Sequence, residues 1–210
     1  MTDSYPAGSP QTPRPASDLS EVLNNFSGVW ALMMGRKDGM SRLDVSADGF
    51  YRSFSAILVA LPALTLSWIE FEAGDRSDQA EHIGTAQAFG AHLFADLLAW
   101  LLPVIILLLV AKRIGWSRKV SPLVVATNWG AALVTWLFAP YLALVLLIGM
   151  GPNLALVGAL LSIGSLVLTA RLCRTILDDW PTAIFLTAAL LATGLLSYGV
   201  VMDLTGVPLI

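Results

Sequence analysis

The chain has 210 residues, of which 56% are hydrophobic and 13% are charged, and its net charge is −3 at pH 7. A mean hydropathy of +0.73 indicates a membrane protein and excludes an ordinary soluble domain or a fully disordered chain. The single cysteine, Cys173, excludes an internal disulfide and a cysteine-based metal site.

The N-terminal part of the chain divides into two segments. Residues 1–19 contain four prolines with serines and threonines and no apolar cluster, so we expect a disordered tail. Residues 20–45 predict an amphipathic helix and a connector, because apolar side chains recur there at helical spacing. These side chains are Leu23, Phe26, Trp30 and Met33 or Met34. The helix is expected to lie in the headgroup layer of the membrane or to dock on the ends of the spans, and both can hold together.

Residues 46–210 form the expected membrane domain, and its first two spans are separated by a charged stretch. The first span covers residues 54–69, with its helix beginning near Ser46, where Ser46 or Asp44 can cap the backbone. Glu72 and the charged residues after it predict a solvated loop over 72–85. The second span covers residues 88–111 and ends at a pair of basic residues.

The third and fourth spans come from a run of 51 residues, 120–170, that contains no Asp, Glu, Lys, Arg or His. As one helix the run would be about 77 Å long, against ~30 Å of hydrocarbon, so it must fold back. The turn sequence Gly-Met-Gly-Pro-Asn at 149–153 divides it into spans at 122–148 and 154–172.

The fifth span covers residues 182–202 and follows Asp178, Asp179 and Pro181, with the proline expected in the first helical turn. The predicted fold is therefore all-α: a polytopic membrane bundle of five transmembrane helices preceded by an amphipathic helix.

The basic residues predict the orientation. With a cytoplasmic N-terminus, eleven of the twelve Lys and Arg residues lie on the inside and only Arg76 lies outside. We therefore expect a multi-pass protein of a bacterial inner membrane, with a periplasmic C-terminus. The residues expected at the headgroups are Trp30, Arg36, Lys37, Lys112, Arg113, Arg171 and Arg174.

Three polar residues within the spans form the candidate site. His92 and Asp96 are four residues apart and share a face of the second span, and Asn128 heads a stripe of small and polar residues in the third. Ionisable groups at this depth can relay protons, and they can equally bond a neighbouring helix. No metal site is expected, because the other histidine, His82, lies in a loop.

The sequence contains no phosphate-binding loop, no Ser/His/Asp set and no HExxH motif, so no catalytic residue, cofactor or nucleic acid is expected. The leading hypothesis is a non-enzymatic accessory or scaffold subunit of a membrane complex. The alternative is a small transporter or a proton- or ion-coupled permease that uses the face of His92 and Asp96. A lipid-modifying enzyme is a third and weaker hypothesis, since no second acid or histidine cluster faces this pair. The expected partners are the lipid bilayer and either other membrane proteins or a second copy of the chain.

A resemblance adds to this interpretation. The stretch Trp30-Ala-Leu-Met-Met-Gly-Arg36, with Gly39 and the segment Asp44–Phe54, resembles the head of a group of small bacterial inner-membrane proteins. Those proteins are similar in plan to the Yip-domain family, with a cytoplasmic N-terminal segment and five spans. The Asp-Leu-Tyr-Gly-Pro signature of eukaryotic members is missing from this sequence, so the resemblance implies a helical bundle and no role in vesicle traffic.

Overall fold

The structure, a computed structural model, describes residues 19–74 and 83–209. Within these ranges every regular element is a helix, which confirms the all-α prediction. The elements are α1 (Leu19–Met33), a 3-10 helix (Lys37–Arg42), α2 (Ala47–Arg52), α3 (Ser55–Ala73), α4 (Thr85–Ala111), α5 (Val120–Ile148), α6 (Pro152–Leu177) and α7 (Trp180–Thr205). The tail expected at 1–19 lies outside the described residues apart from Leu19, and so do His82 and Arg76.

Five helical segments are long and apolar enough to cross a bilayer. The first is the continuous stretch Ala47–Ala73, which joins α2 and α3, and the other four are α4 to α7. The predicted number of spans and their order are confirmed.

Two helices continue four or five residues beyond the ends of the spans predicted within them. The first span is predicted at 54–69 and the fourth at 154–172, but α3 continues to Ala73 and α6 to Leu177. Hydropathy marks a span as ended at its first charged residues, whereas a helix ends at its C-cap, which is Gly74 for α3 and Asp178 for α6. Glu72, assigned above to a solvated loop, lies in the last turn of α3 and has a nearly buried side chain.

The helix starts follow the capping residues. Ser46 caps α2, since its side chain accepts a hydrogen bond from the Gly49 amide, and Asp44 Oδ1 in turn accepts one from the Ser46 amide at 3.0 Å. Asp179 caps α7 by accepting from the Thr182 amide, and Pro181 occupies the first turn as predicted. Both caps lie at the junctions where the chain turns back into the bundle.

Helices α4, α5, α6 and α7 form a ring, and α3 packs outside it against α5, which has the most neighbours. Helix α5 packs against α3 on one side and α6 on the other, and it also touches α1, α2 and α4. Helices α6 and α4 both pack on α7, which closes the ring. Small side chains permit the two closest helix pairs: Ala56 and Ala60 of α3 are buried against α5, and the buried alanines of α4 pack against α7.

The short helix α1 lies across one end of this ring, which we call the α1 end, and the opposite end is the far end. Val29, Leu32 and Met33 of α1 are fully buried against α5 and α6. Side chains of α5 and α6 hold α1 and the connector that follows it. Thr175 Oγ1 donates to Leu32 O, and the Arg171 guanidinium donates to the next two carbonyls. Ser121 Oγ donates to Val45 O in the connector. Docking of this helix on the ends of the spans, one of the two expected arrangements, is thus present.

Candidate functional site

Asp96 ties three helices together within the bundle. One carboxylate oxygen accepts a hydrogen bond from Trp68 Nε1 of α3 at 2.8 Å, and the other accepts one from the Tyr198 hydroxyl of α7. Both oxygens of this α4 residue therefore take a hydrogen bond from a neutral donor on another helix. Asp96 lies eleven residues into α4, about 17 Å along the helix from Thr85 at ~1.5 Å per residue.

His92 lies one turn nearer the far end and has different partners. Its Nε2 is 3.3 Å from Glu72 Oε1, and its side chain is only 4% exposed. The imidazole stacks on the Trp68 indole, with the ring centroids 6.1 Å apart, and meets the edge of Phe71 at 5.3 Å. The histidine thus binds α4 to the end of α3 through one polar and two aromatic contacts.

Asn128 is the centre of a second polar cluster, nearer the α1 end. Its Oδ1 accepts from Trp100 Nε1 of α4 at 2.9 Å, and its Nδ2 donates to Ser53 Oγ at 2.9 Å. Ser53 is one of the two residues between α2 and α3, and its hydroxyl donates to Phe50 O. Asn128 is fully buried on α5, so this chain of bonds joins the first three spans.

A cavity of about 370 Å³ lies beside both clusters, bounded by α4, α5, α6 and α7. Asp96 and Trp100 contribute to its wall from α4, and Asn128 from α5, whereas His92 does not line it. Met33 of α1, with Leu123 and Leu172, forms its boundary at the α1 end. The three predicted site residues therefore divide: Asp96 and Asn128 share one cavity, and His92 belongs to a separate contact.

The residues predicted at the headgroups occupy the α1 end. Arg171 Nε donates to Met33 O at 2.7 Å and its Nη2 to Met34 O at 2.9 Å, so this guanidinium satisfies carbonyls left open at the C-terminus of α1. Lys37 Nζ pairs with Asp178 Oδ1 at 2.6 Å, and Arg174 lies over the Trp180 ring at 5.8 Å. Lys112 and Arg113 are exposed in the turn between α4 and α5.

Electrostatics at this end hold the carboxylates ionised. The hydrogen bond from Lys37 lowers the pKa of Asp178, and the nearby charges of Lys37 and Arg174 act in the same direction. The pKa of Asp179 is lowered by its hydrogen bonds from the Thr182 side chain and amide, and that of Asp38 by its hydrogen bond from Arg36. Each of these carboxylates is exposed, so its bonds contribute little to stability.

Sequence reasoning missed the partners that define these clusters. Trp68 and Tyr198 resemble ordinary belt residues, and Trp100 looks like one more apolar residue in a long run. The available signal was that indole N–H and phenol O–H groups need acceptors when buried, and Asp96 and Asn128 are the acceptors in the middle of the spans.

The chemistry open to the site is bounded by its composition. Among residues 19–74 and 83–209, no group of three His, Cys, Asp or Glu side chains is placed to hold a metal ion. Cys173 is buried against α1 and α7 as a free thiol.

Comparisons of the chain with protein-family models, with curated proteins and with solved structures give no match.

Proposed function

We propose that this protein is a non-enzymatic accessory or scaffold subunit of a membrane complex, in a bacterial inner membrane. One observation carries the proposal. The polar groups inside the spans are engaged in bonds between helices, as at Asp96 and Asn128, while a long stretch of α6 has no buried residue. Such a protein has a bundle held together by these bonds and an exposed helix face that another membrane protein can bind.

The face in question belongs to the part of α6 nearest the far end, Pro152–Leu168. None of its residues is buried, and small residues recur along one exposed line at Ala155, Ala159 and Ser162. Small residues at this spacing let the backbone of another helix approach closely. We infer that a transmembrane helix of a different protein packs here.

Photocrosslinking in cells tests the scaffold function. A benzophenone amino acid at Ile163, which is 60% exposed beside this line, should yield a discrete adduct with another protein. The same label at Leu109 of α4, which is 71% exposed, is the matched control and should label lipid alone. Lipid labelling alone at both positions, or an adduct with a second copy alone, contradicts the proposal.

The orientation is proposed from charge. The positive-inside rule favours a cytoplasmic position for α1, the turn between α4 and α5, and the junction of α6 and α7, because eleven of the twelve Lys and Arg residues then lie on the inside. A reporter that is active only in the cytoplasm should work after Trp116 and fail after Leu209. An odd number of spans puts the N-terminus and the C-terminus on opposite sides of the membrane. Reporter activity at both positions would therefore contradict the proposed orientation.

Contact of α1 with lipid headgroups is part of the same proposal. One face of α1 is buried on the bundle, and the other exposes Leu19, Leu23, Trp30 and Met34. Because this exposed apolar line runs beside Arg36 and Lys37, it suits the boundary between headgroups and acyl chains. In vesicles with lipids brominated near the headgroup, Trp30→Phe should remove part of the quenched tryptophan emission. Unchanged quenching would place this face in water.

A transporter or proton- or ion-coupled permease is the second candidate function, and the cavity between Asp96 and Asn128 favours it. The discriminating measurement is uptake into vesicles that contain the purified protein, compared with the Asp96→Asn variant. The plan of five spans after an N-terminal helix is also what the resemblance to Yip-like proteins leads one to expect, and membership of that group stays a proposal.

A further inference from the structure

The cavity between α4, α5, α6 and α7 has the size and walls of a binding site for a small molecule. Its volume of about 370 Å³ falls at the lower end of the ~300–1,000 Å³ usual for ligand pockets. Most of the wall is apolar, from side chains such as Leu64, Val134 and Leu190. A few polar groups interrupt it, and their chemistry decides which ligand can enter.

The charge of the wall has one sign. Among the described residues that line the cavity, Asp96 is the only one with an ionisable side chain, and no Lys, Arg or His is present. Its two bonds, from Trp68 and Tyr198, come from neutral donors. A carboxylate offers about four lone-pair positions, so two of them remain after these bonds are made.

The neutral polar groups of the wall point to the same ligand chemistry. Four threonines line the cavity, and each donates its hydroxyl proton to a carbonyl one turn earlier in its own helix. They are Thr127, Thr135, Thr169 and Thr187. Trp100 Nε1 is likewise used, by Asn128. With their protons committed in this way, the hydroxyls present lone pairs, so the wall is rich in acceptors and poor in donors.

We propose that this cavity binds a small organic cation, a quaternary or protonated amine with an apolar body, and that Asp96 is its counter-ion. Acceptors and a single carboxylate in surroundings of low dielectric attract a cation and repel an anion of the same shape. The Trp100 indole adds an aromatic wall of the kind that attracts ammonium groups. The inference goes beyond the scaffold function and does not depend on it, because a bound ligand can be transported or can stay as a structural component.

Binding to the purified full chain in lipid nanodiscs tests the proposal. Radiolabelled benzyltrimethylammonium is the probe, benzylsulfonate is the anion of similar shape, and nanodiscs without protein give the background. The expected result is saturable binding of one cation per chain and no binding of the anion above background. Equal binding of both ions, or cation binding that never exceeds the background, overturns the proposal.

Two pairs of variants locate the bound cation. Ala99→Phe fills the cavity beside Asp96 and should abolish binding, whereas Ala188→Phe adds the same ring on an exposed face of α7 and should leave it unchanged. Asp96→Asn should weaken binding by at least about tenfold, because it removes a charge in low-dielectric surroundings. Asp203→Asn removes an exposed carboxylate near the end of α7 that does not line the cavity, and should bind like the wild type.

These pairs separate ligand binding from folding. If Asp96→Asn does not yield folded protein, the Ala99→Phe and Ala188→Phe pair still decides whether the cation occupies this cavity. Wild-type affinity in Ala99→Phe, or equal losses in Asp96→Asn and Asp203→Asn, would contradict the assignment of Asp96 as counter-ion. Neither outcome bears on the photocrosslinking test of the scaffold function, since nanodisc binding uses the isolated chain.

Discussion

The α1 end and the far end of this bundle are built on different principles. At the α1 end, the short helix α1 packs against the ring. Residues of α1, α5 and α6 such as Leu32, Ala126 and Cys173 have almost no exposed surface there. Towards the far end α6 has no buried residue over Pro152–Leu168, and contact is concentrated between α4 and α7 and at the Asp96 cluster. Stability is therefore expected to come mainly from the α1 end, which leaves α6 free to meet another molecule.

The largest contrast should come from truncating one apolar side chain at each end. Leu32→Ala removes a side chain that is 1% exposed and should lower the free energy of unfolding by about 2–5 kcal/mol. Ile163→Ala on α6 should change it by no more than about 0.5 kcal/mol. Equilibrium unfolding in mixed micelles measures both. Similar losses for the two variants would remove the distinction between the ends.

Arg171 offers a polar test of the same contrast. Arg171→Met removes the two hydrogen bonds to Met33 O and Met34 O and should cost about 1.5–3 kcal/mol, since charged donors make the stronger bonds. Release of α1 should also speed cleavage by trypsin after Arg36. Arg174→Met is the matched control, because Arg174 meets only Asp178, at 3.9 Å, and the Trp180 ring among the described residues. Equal cleavage rates in the two variants would show that Arg171 does not hold α1.

The Asp96 cluster should matter less to stability than either change at the α1 end. Asp96→Asn keeps the size of the side chain and an acceptor, so its thermal unfolding should stay close to that of the wild type. Asp96→Leu loses both bonds and should cost about 0.6–2 kcal/mol, the usual range for hydrogen bonds between membrane helices. A loss as large as that of Leu32→Ala would make the far end an equal source of stability. Measured together with cation binding, the stability of Asp96→Asn then separates the ligand-binding role of Asp96 from its structural role.

The smallest effect should be a pH dependence of the connector that follows α1. The pKa of Asp178 is lowered by its hydrogen bond from Lys37. The pair therefore contributes to stability at pH values above the ordinary carboxyl pKa, and this contribution is lost as the pH falls through the lowered pKa. Acidification through that range should slightly raise the hydrogen exchange of the backbone amides of residues 37–42 in the wild type, after correction for the intrinsic pH dependence of exchange. In Asp178→Asn this exchange should already be raised at neutral pH and should not respond further. A response of the same size in both proteins would assign the pH dependence to another group.

Candidate site residues could be predicted from sequence only as single positions. A histidine and an aspartate four residues apart must share a helix face, and that much follows from helical geometry. Their separation into two contacts could not be foreseen, because Glu72 and Trp68 come from α3 and Tyr198 lies 102 residues beyond Asp96. Glu72 was assigned to a loop since charge near the end of a span normally indicates water, and its pairing with His92 is a tertiary contact.

The amino-acid sequence alone determined the five spans and their order, because a bilayer excludes charge over about 30 Å and the long uncharged run can satisfy that only by folding back. It also determined the starts of α2 and α7, since Ser46 and Asp179 cap through bonds within four residues. Tertiary structure decided which face of α1 is buried, how Asp96 is bonded and that a cavity separates α4 from α6. Those features depend on the rotation of each helix about its own axis. The sequence does not fix that rotation, because these helices are apolar on all sides and their lipid-facing and protein-facing sides have nearly the same composition.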